Sequence, residues 1–157
     1  MNCYAVIDTN VLVSALIRKD SVPKLGVSHA LEGKIIPLVN AEILEEYNDV
    51  LRRKKFKFNE RAVEVLIAGI VSRAIHVDAI ELNEYLPDPK DAIFYEIVME
   101  SRKEHDAYLV TGNLKHFPKA LSLLSRTRHI EIKKASSSDG AFFVLRGHLW
   151  SLYRLAQ

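Results

Sequence analysis

Tyr4-Ala5-Val6-Ile7-Asp8-Thr9-Asn10-Val11-Leu12-Val13 is the stretch whose reading decides the fold. Residues 4–7 form an unbroken apolar run rich in β-branched and aromatic side chains, the composition of a strand buried on both faces of a parallel sheet. The run stops at a carboxylate. Asp8, Thr9 and Asn10 can each cap a helix, and Val11, Leu12, Ala15 and Leu16 repeat at helical spacing, so the strand is expected to turn directly into a helix. Asp8 then stands at the carboxyl end of a first strand, the place where open α/β sheets collect ligands and chemistry. Taken alone, an Asp there is most simply an N-cap, and a functional role needs support from further along the chain.

Working outward, Leu25, Val27, Ala30 and Leu31 give a helical face that ends at Gly33, and residues 35–39 read as a second apolar strand. Asn40 is expected to cap a third helix whose apolar face carries Ile43, Leu44, Tyr47, Val50 and Leu51. At about 100° per residue, Glu46 falls near the edge of that face, Glu42 lies farther round and Glu45 points away, which makes Glu46 the acid best placed to lean toward a strand end. A further helix is expected after Asn59 and a weak strand at 74–77. The run Leu86-Pro87-Asp88-Pro89-Lys90-Asp91 is a proline-stopped turn before another helix, where Asp91 is again a natural cap. Residues 107–110 are the next strand, ending at Thr111-Gly112-Asn113 in the same relation to it as Asp8 to the first. A helix around 120–124 and a last strand at 129–132 complete a β/α alternation that calls for a parallel sheet with helices on both faces.

The 157 residues fit one domain, able to bury roughly two thirds of its unfolded surface. Cys3 is the one cysteine and has no partner for a disulfide, which suits a reducing compartment. The first strand follows Met1 with no charged leader and no long apolar run, so neither a signal peptide nor a membrane span is expected and the location is expected to be cytoplasmic. With 22 basic and 20 acidic residues the formal charge is only +2, which does not announce a nucleic-acid binder by itself. The basic residues are clustered, however, with Arg52, Arg53, Lys54, Lys55 and Lys57 after the third helix and Lys115 and Lys119 after the Asn113 turn. Solvated helix ends explain such runs well, and contact with an RNA backbone, by Arg52, Arg53, Lys54 and Lys115 above all, is the functional alternative. Residues 136–157 carry a Ser-rich turn and then apolar side chains that require burial, on this domain or at an interface. The chain is accordingly divided into a domain over 1–135 and a C-terminal extension over 136–157.

Asp8, Glu46, Asp88 or Asp91, and Asn113 all fall at strand ends or at the starts and edges of the helices that follow. Carboxylates brought close together repel and stay ionised only beside a cation. Their oxygens are hard ligands, and no Cys/His cluster has zinc spacing, so Mg²⁺ or Mn²⁺ is favoured. An ion of that kind suits hydrolysis of phosphate esters.

Four ordered motifs, spread over about residues 4–132, resemble the PIN-domain ribonucleases, and most of all their toxin branch. They are Val6-Ile7-Asp8-Thr9-Asn10-Val11-Leu12-Val13-Ser14-Ala15, then Ile43-Leu44-Glu45-Glu46-Tyr47 with Lys55-Phe56, then Asp88-Pro89-Lys90-Asp91, then Asp106-Ala107-Tyr108-Leu109-Val110-Thr111-Gly112-Asn113 with His116-Phe117-Pro118. The resemblance implies a three-layer α/β/α sandwich around a central parallel sheet in which the strands bearing Asp8 and Thr111 are neighbours. It implies an Mg²⁺- or Mn²⁺-dependent endoribonuclease acting on single-stranded RNA, in which Asp8, Glu46 and Asp91 are catalytic acids and metal ligands and Asp88 and Asn113 are further ligands. Asn10, Thr111 and Asp106 would orient carboxylates or water. An antitoxin partner and a homodimer are implied as well. The sequence departs from the family where Asn113 replaces an acid, which removes one charge, and where the tail beyond residue 132 replaces the usual short ending. Two other readings remain beside this one. Asp8-Thr9-Asn10-Val11 after a buried strand also resembles the opening of the haloacid-dehalogenase phosphatases, although those want a second Asp at position 10, and a catalytically idle PIN-like module would bind RNA or a partner without cutting.

Overall fold

The computed structural model describes residues 3–18, 20–82, 86, 88–112 and 117, with the backbone of 143–144. Asn113, Lys115, Lys119, the expected helix at 120–124, the expected strand at 129–132 and the rest of the 136–157 extension lie outside the described residues.

The opening run forms β1 (Cys3–Ile7), and the chain turns at Asp8 into α1 (Thr9–Ile17). Asp8 does cap this helix: its backbone is extended and its side chain accepts a hydrogen bond from the Asn10 N–H. Ser21 caps α2 (Val22–Leu31), with Pro23 in the first turn, where its missing N–H costs nothing. Gly33 closes the helix at a φ of 78°, the left-handed conformation that glycine adopts without strain. β2 (Ile35–Val39), α3 (Ala41–Leu51) and α4 (Glu60–Val71) follow, and Asn40 and Asn59 cap the two helices as their sequence positions predict. The weak third strand shrinks to β3 (Ile75–His76). A single 3₁₀ turn, Pro89–Asp91, then leads into α5 (Ala92–Ser101) and β4 (Ala107–Thr111).

With a last strand, β5 (Phe143–Val144), the sheet order is β3-β2-β1-β4-β5, and the first four strands are parallel. β5 is an antiparallel edge, with Val144 opposite Val110, so the parallel pairing does not extend to this strand. In the centre Tyr4 lies opposite Ala107 and Ile7 opposite Val110, which brings the carboxyl ends of β1 and β4 side by side. From β1 the chain first moves outward to β2 and β3, then returns across the sheet to β4. Because parallel crossovers are right-handed, that reversal sets α5 on the face opposite α2 and α4, the three layers of an α/β/α sandwich. The crevice between β1 and β4 is the switch point of this topology.

Ala5, Val6, Val11, Leu12, Ile43, Tyr47, Phe94, Ile97 and Leu109 are all within 1% of complete burial and form the centre of one continuous core. Cys3 is a half-buried free thiol, with its pKa pushed up by desolvation, as a near-core cysteine should be.

Candidate active site

Four segments meet at the carboxyl edge of the sheet. Asp8 is only 3% exposed, and both its oxygens are engaged: Oδ1 accepts from the Asn10 N–H at 3.0 Å and Oδ2 from the Thr111 hydroxyl at 2.5 Å. The second bond joins residues 103 apart in the chain and exists because β1 and β4 are neighbours in register. Asp8 is therefore both an N-cap and a member of a tertiary site. A simple cap does not require Thr111, at full burial, to fix its other oxygen.

Glu46 reaches the same place from α3. Its Oε1 accepts a 2.6 Å hydrogen bond from the hydroxyl of buried Thr9, next to Asp8 in the chain. Tyr47, fully buried, sends its hydroxyl to the Ile7 carbonyl and so pins α3 to the strand that carries Asp8. Glu42 and Glu45 are exposed, in line with the helical geometry that singled out Glu46. Desolvation raises the pKa of the Glu46 carboxyl, and the charges of Asp8 and Asp91 push the same way. The Thr9 hydrogen bond and nearby Lys90 oppose the rise. Burial and the same carboxylates, Asp8 and Glu46, hold the Tyr47 phenol well above its ordinary pKa, so it stays a donor.

Asp91 completes the group through this charge effect on Glu46. It occupies the N-cap position of α5 with helical backbone and no capping hydrogen bond from its side chain, so the simple cap reading does not account for it. Asp88 does cap: its Oδ1 accepts from the Lys90 N–H at 3.0 Å and shapes the 3₁₀ turn that presents Asp91. It is absent from the charges that act on Glu46.

Asp8, Glu46, Asp91 and Thr111 are thus brought together, and Asp88 supports the turn beside them. Asn10 contributes its backbone N–H, while its side chain is exposed. Asp106 is not brought to the site. It is exposed and precedes the first residue of β4, at the opposite end of a five-residue strand from Thr111, roughly 16 Å away at the rise of an extended chain. Gly112 makes no close approach to any described part of the chain: a Cβ placed there meets nothing within 4 Å. Arg52 is tied to Glu60 by a 2.6 Å ion pair and to Asn48 by a hydrogen bond, which makes it a clamp between α3 and α4. Thr9 and Tyr47 escaped sequence reasoning, because the first looks like a helix cap and the second like a plain core aromatic.

The donors around this edge are all oxygens, the ligand class of Mg²⁺ and Mn²⁺. The like charges that raise the Glu46 pKa are what such an ion would relieve. The chemistry of the set fits a divalent cation. Its geometry is not a finished cage: among the described residues no three Asp, Glu, His or Cys side chains stand close enough around one point to hold an ion as they are.

Comparison with known proteins adds one match. The family model described as the PIN domain covers residues 4–115. No curated protein and no solved structure gives a significant match. PIN domains are in general nucleases that use divalent metal ions. Since the matched segment is well over half of the 157 residues and contains Asp8, Glu46, Asp91 and Thr111, this chain belongs to the PIN-domain family.

Proposed function

We propose that the protein is an Mg²⁺- or Mn²⁺-dependent endoribonuclease that cuts single-stranded RNA, acting as the toxin of a toxin–antitoxin pair. The observation that carries the nuclease reading is the placing of Asp8 and Glu46 by Thr111 and Thr9 at the β1/β4 switch point, with the charge of Asp91 bearing on Glu46. Asp8, Glu46 and Asp91 would hold the cation, with Asn113 and Asp88 as further ligands. A divalent ion held there supplies positive charge to the phosphate oxygens and acidity to bound water.

The chain's own groups prepare that site. Thr111 and the Asn10 N–H fix both oxygens of Asp8, and Thr9 fixes Oε1 of Glu46. Tyr47 sets the height of α3 against β1, and therefore the separation of the two acids. Lys90 brings a positive charge to the edge of the acidic group, where a phosphodiester has to approach. The toxin role rests on the sequence resemblance to that branch, which also implies an antitoxin, a homodimer and a cytoplasmic location. No helix among the described residues is long and apolar enough to cross a membrane. For the division at 135/136, the pairing of β5 with β4 supports an extension that docks on the nuclease domain.

The test is cleavage of an end-labelled single-stranded RNA with Mg²⁺, Mn²⁺ or chelator, by the wild type and by Asp8→Asn and Asp91→Asn. Cleavage that needs the ion and is lost in both variants is expected. Cleavage in chelator, or at the wild-type rate in either variant, overturns the assignment. RNA binding without cleavage under every ion condition selects the idle-module reading instead. A small antitoxin-like reading frame directly upstream is the expected genetic context, and a solitary gene contradicts the toxin role.

A further inference from the structure

The α3–α4 connection has the make-up of a built cationic surface. From residue 50 to 59 the sequence is Val50-Leu51-Arg52-Arg53-Lys54-Lys55-Phe56-Lys57-Phe58-Asn59, with five cations and no acid. Phe56 and Phe58 are half-buried against the core, and their rings stack nearly parallel, 5.3 Å apart. Arg52 is spent on Glu60 and Asn48, which fastens one end of the loop to the other. Arg53, Lys54, Lys55 and Lys57 are exposed. Among the described residues none of the four makes an ion pair, and Lys55 rests over the Phe56 ring at 4.8 Å.

Lys57 gives the independent sign. Its φ is 53°, in the left-handed region, and it is the one described non-glycine residue there. That conformation is costly for a lysine and free for glycine, so the cationic side chain here comes at the expense of backbone strain that a glycine would avoid. The loop also leads directly on from α3, the helix that carries Glu46. Arg53 lies two positions past the end of α3 and seven after Glu46 in the sequence. A polyanion that approaches an acidic cluster is drawn to cations on the surface around it.

We propose that Arg53, Lys54, Lys55 and Lys57 form a docking surface for the phosphate backbone of single-stranded RNA leading away from the acidic group, with the Phe56–Phe58 stack as its rigid base. The surface rests on the nuclease reading for its biological use and not for its physics. Binding is therefore measured without catalysis, as fluorescence anisotropy of a labelled oligouridylate in chelator at several salt concentrations. The chains compared are the wild type, Arg53→Ala/Lys54→Ala, Lys57→Gly and, as a remote cation, Lys103→Ala.

Arg53→Ala/Lys54→Ala is expected to weaken binding several-fold and to reduce the slope of log K against log salt by about 0.7 for each phosphate that the loop no longer neutralises. Lys57→Gly separates surface from scaffold, because it is expected to raise the melting temperature while weakening RNA binding. Lys103→Ala is expected to leave the binding constant unchanged. The proposal is overturned if affinity and slope are the same in the wild type and both loop variants, an outcome that leaves the loop to an acidic protein partner. It is also overturned if Lys103→Ala weakens binding as much as the loop changes do. Because no divalent ion is present, an absence of cleavage elsewhere does not alter either outcome.

Discussion

Removing a single oxygen, as Tyr47→Phe, tests the joint between fold and site. Tyr47 is completely buried, and its hydroxyl donates to the Ile7 carbonyl, one residue before Asp8. The phenyl ring of the variant fills the same space, so the loss is confined to one hydrogen bond and one carbonyl left short of a buried partner, about 1–3 kcal/mol. For a chain of this size each kcal/mol lowers the melting temperature by about 2–4 °C, so a fall of about 2–12 °C is expected. Urea unfolding should show the same loss as a lower midpoint at unchanged m, since the surface exposed on unfolding does not change. Because α3 carries Glu46 on the residue before Tyr47, cleavage at a temperature where the variant is fully folded should also fall. A melting temperature at or above that of the wild type refutes the structural role of this bond. Normal cleavage with a lowered melting temperature refutes its role in spacing the two acids.

Other consequences are equally specific. The Glu46 carboxyl is raised, so the folded protein holds that proton more tightly than the unfolded chain; metal-free stability should decline as pH rises from the ordinary glutamate range through the raised value, and cleavage should fall as pH drops through the same window. Glu46→Gln should flatten that stability profile and abolish cleavage, and an unchanged profile contradicts the assignment. Glu96, 7% exposed on α5, accepts a 2.8 Å hydrogen bond from the Leu82 N–H; Glu96→Ala should cost about 1–3 kcal/mol in urea unfolding and make the 78–82 segment easier to cut by protease. Gly33→Ala, remote from the site, forces a side chain into left-handed backbone and within 2.9 Å of Arg73 Nη1; it should cost about 1 kcal/mol and leave cleavage per folded molecule unchanged.

What the sequence made legible was whatever local chemistry determines. The apolar run before Asp8, the capping residues Asn40 and Asn59, Gly33 at a helix end and the periodic face of α3 all report on their own neighbourhoods, and each is found where the sequence puts it. Glu46 was legible for the same reason, since helical rotation alone separates it from Glu45. Interactions made by docking one element on another were not. The bonds from Thr9 to Glu46 and from Tyr47 to Ile7 depend on how α3 sits over β1, and no periodicity encodes that height. Asp106 and Thr111 bracket one strand and look adjacent in the sequence, yet an extended chain carries them to opposite ends of the sheet. Arg52 reads as one of five similar cations until Glu60, eight residues on, is seen to claim it. The antiparallel pairing of Phe143–Val144 joins segments more than thirty residues apart without a local signal.

The central claim is that Asp8, Glu46 and Asp91 together make a divalent-cation site, and calorimetric titration with Mn²⁺ tests it most directly, comparing the wild type with Glu46→Gln and Glu45→Gln. Neighbouring residues on one helix receive the same chemical change, so only the direction each side chain faces distinguishes them. The account predicts binding in the wild type, loss of that binding in Glu46→Gln and its retention in Glu45→Gln. Equal binding by all three proteins, or loss in Glu45→Gln alone, would contradict it.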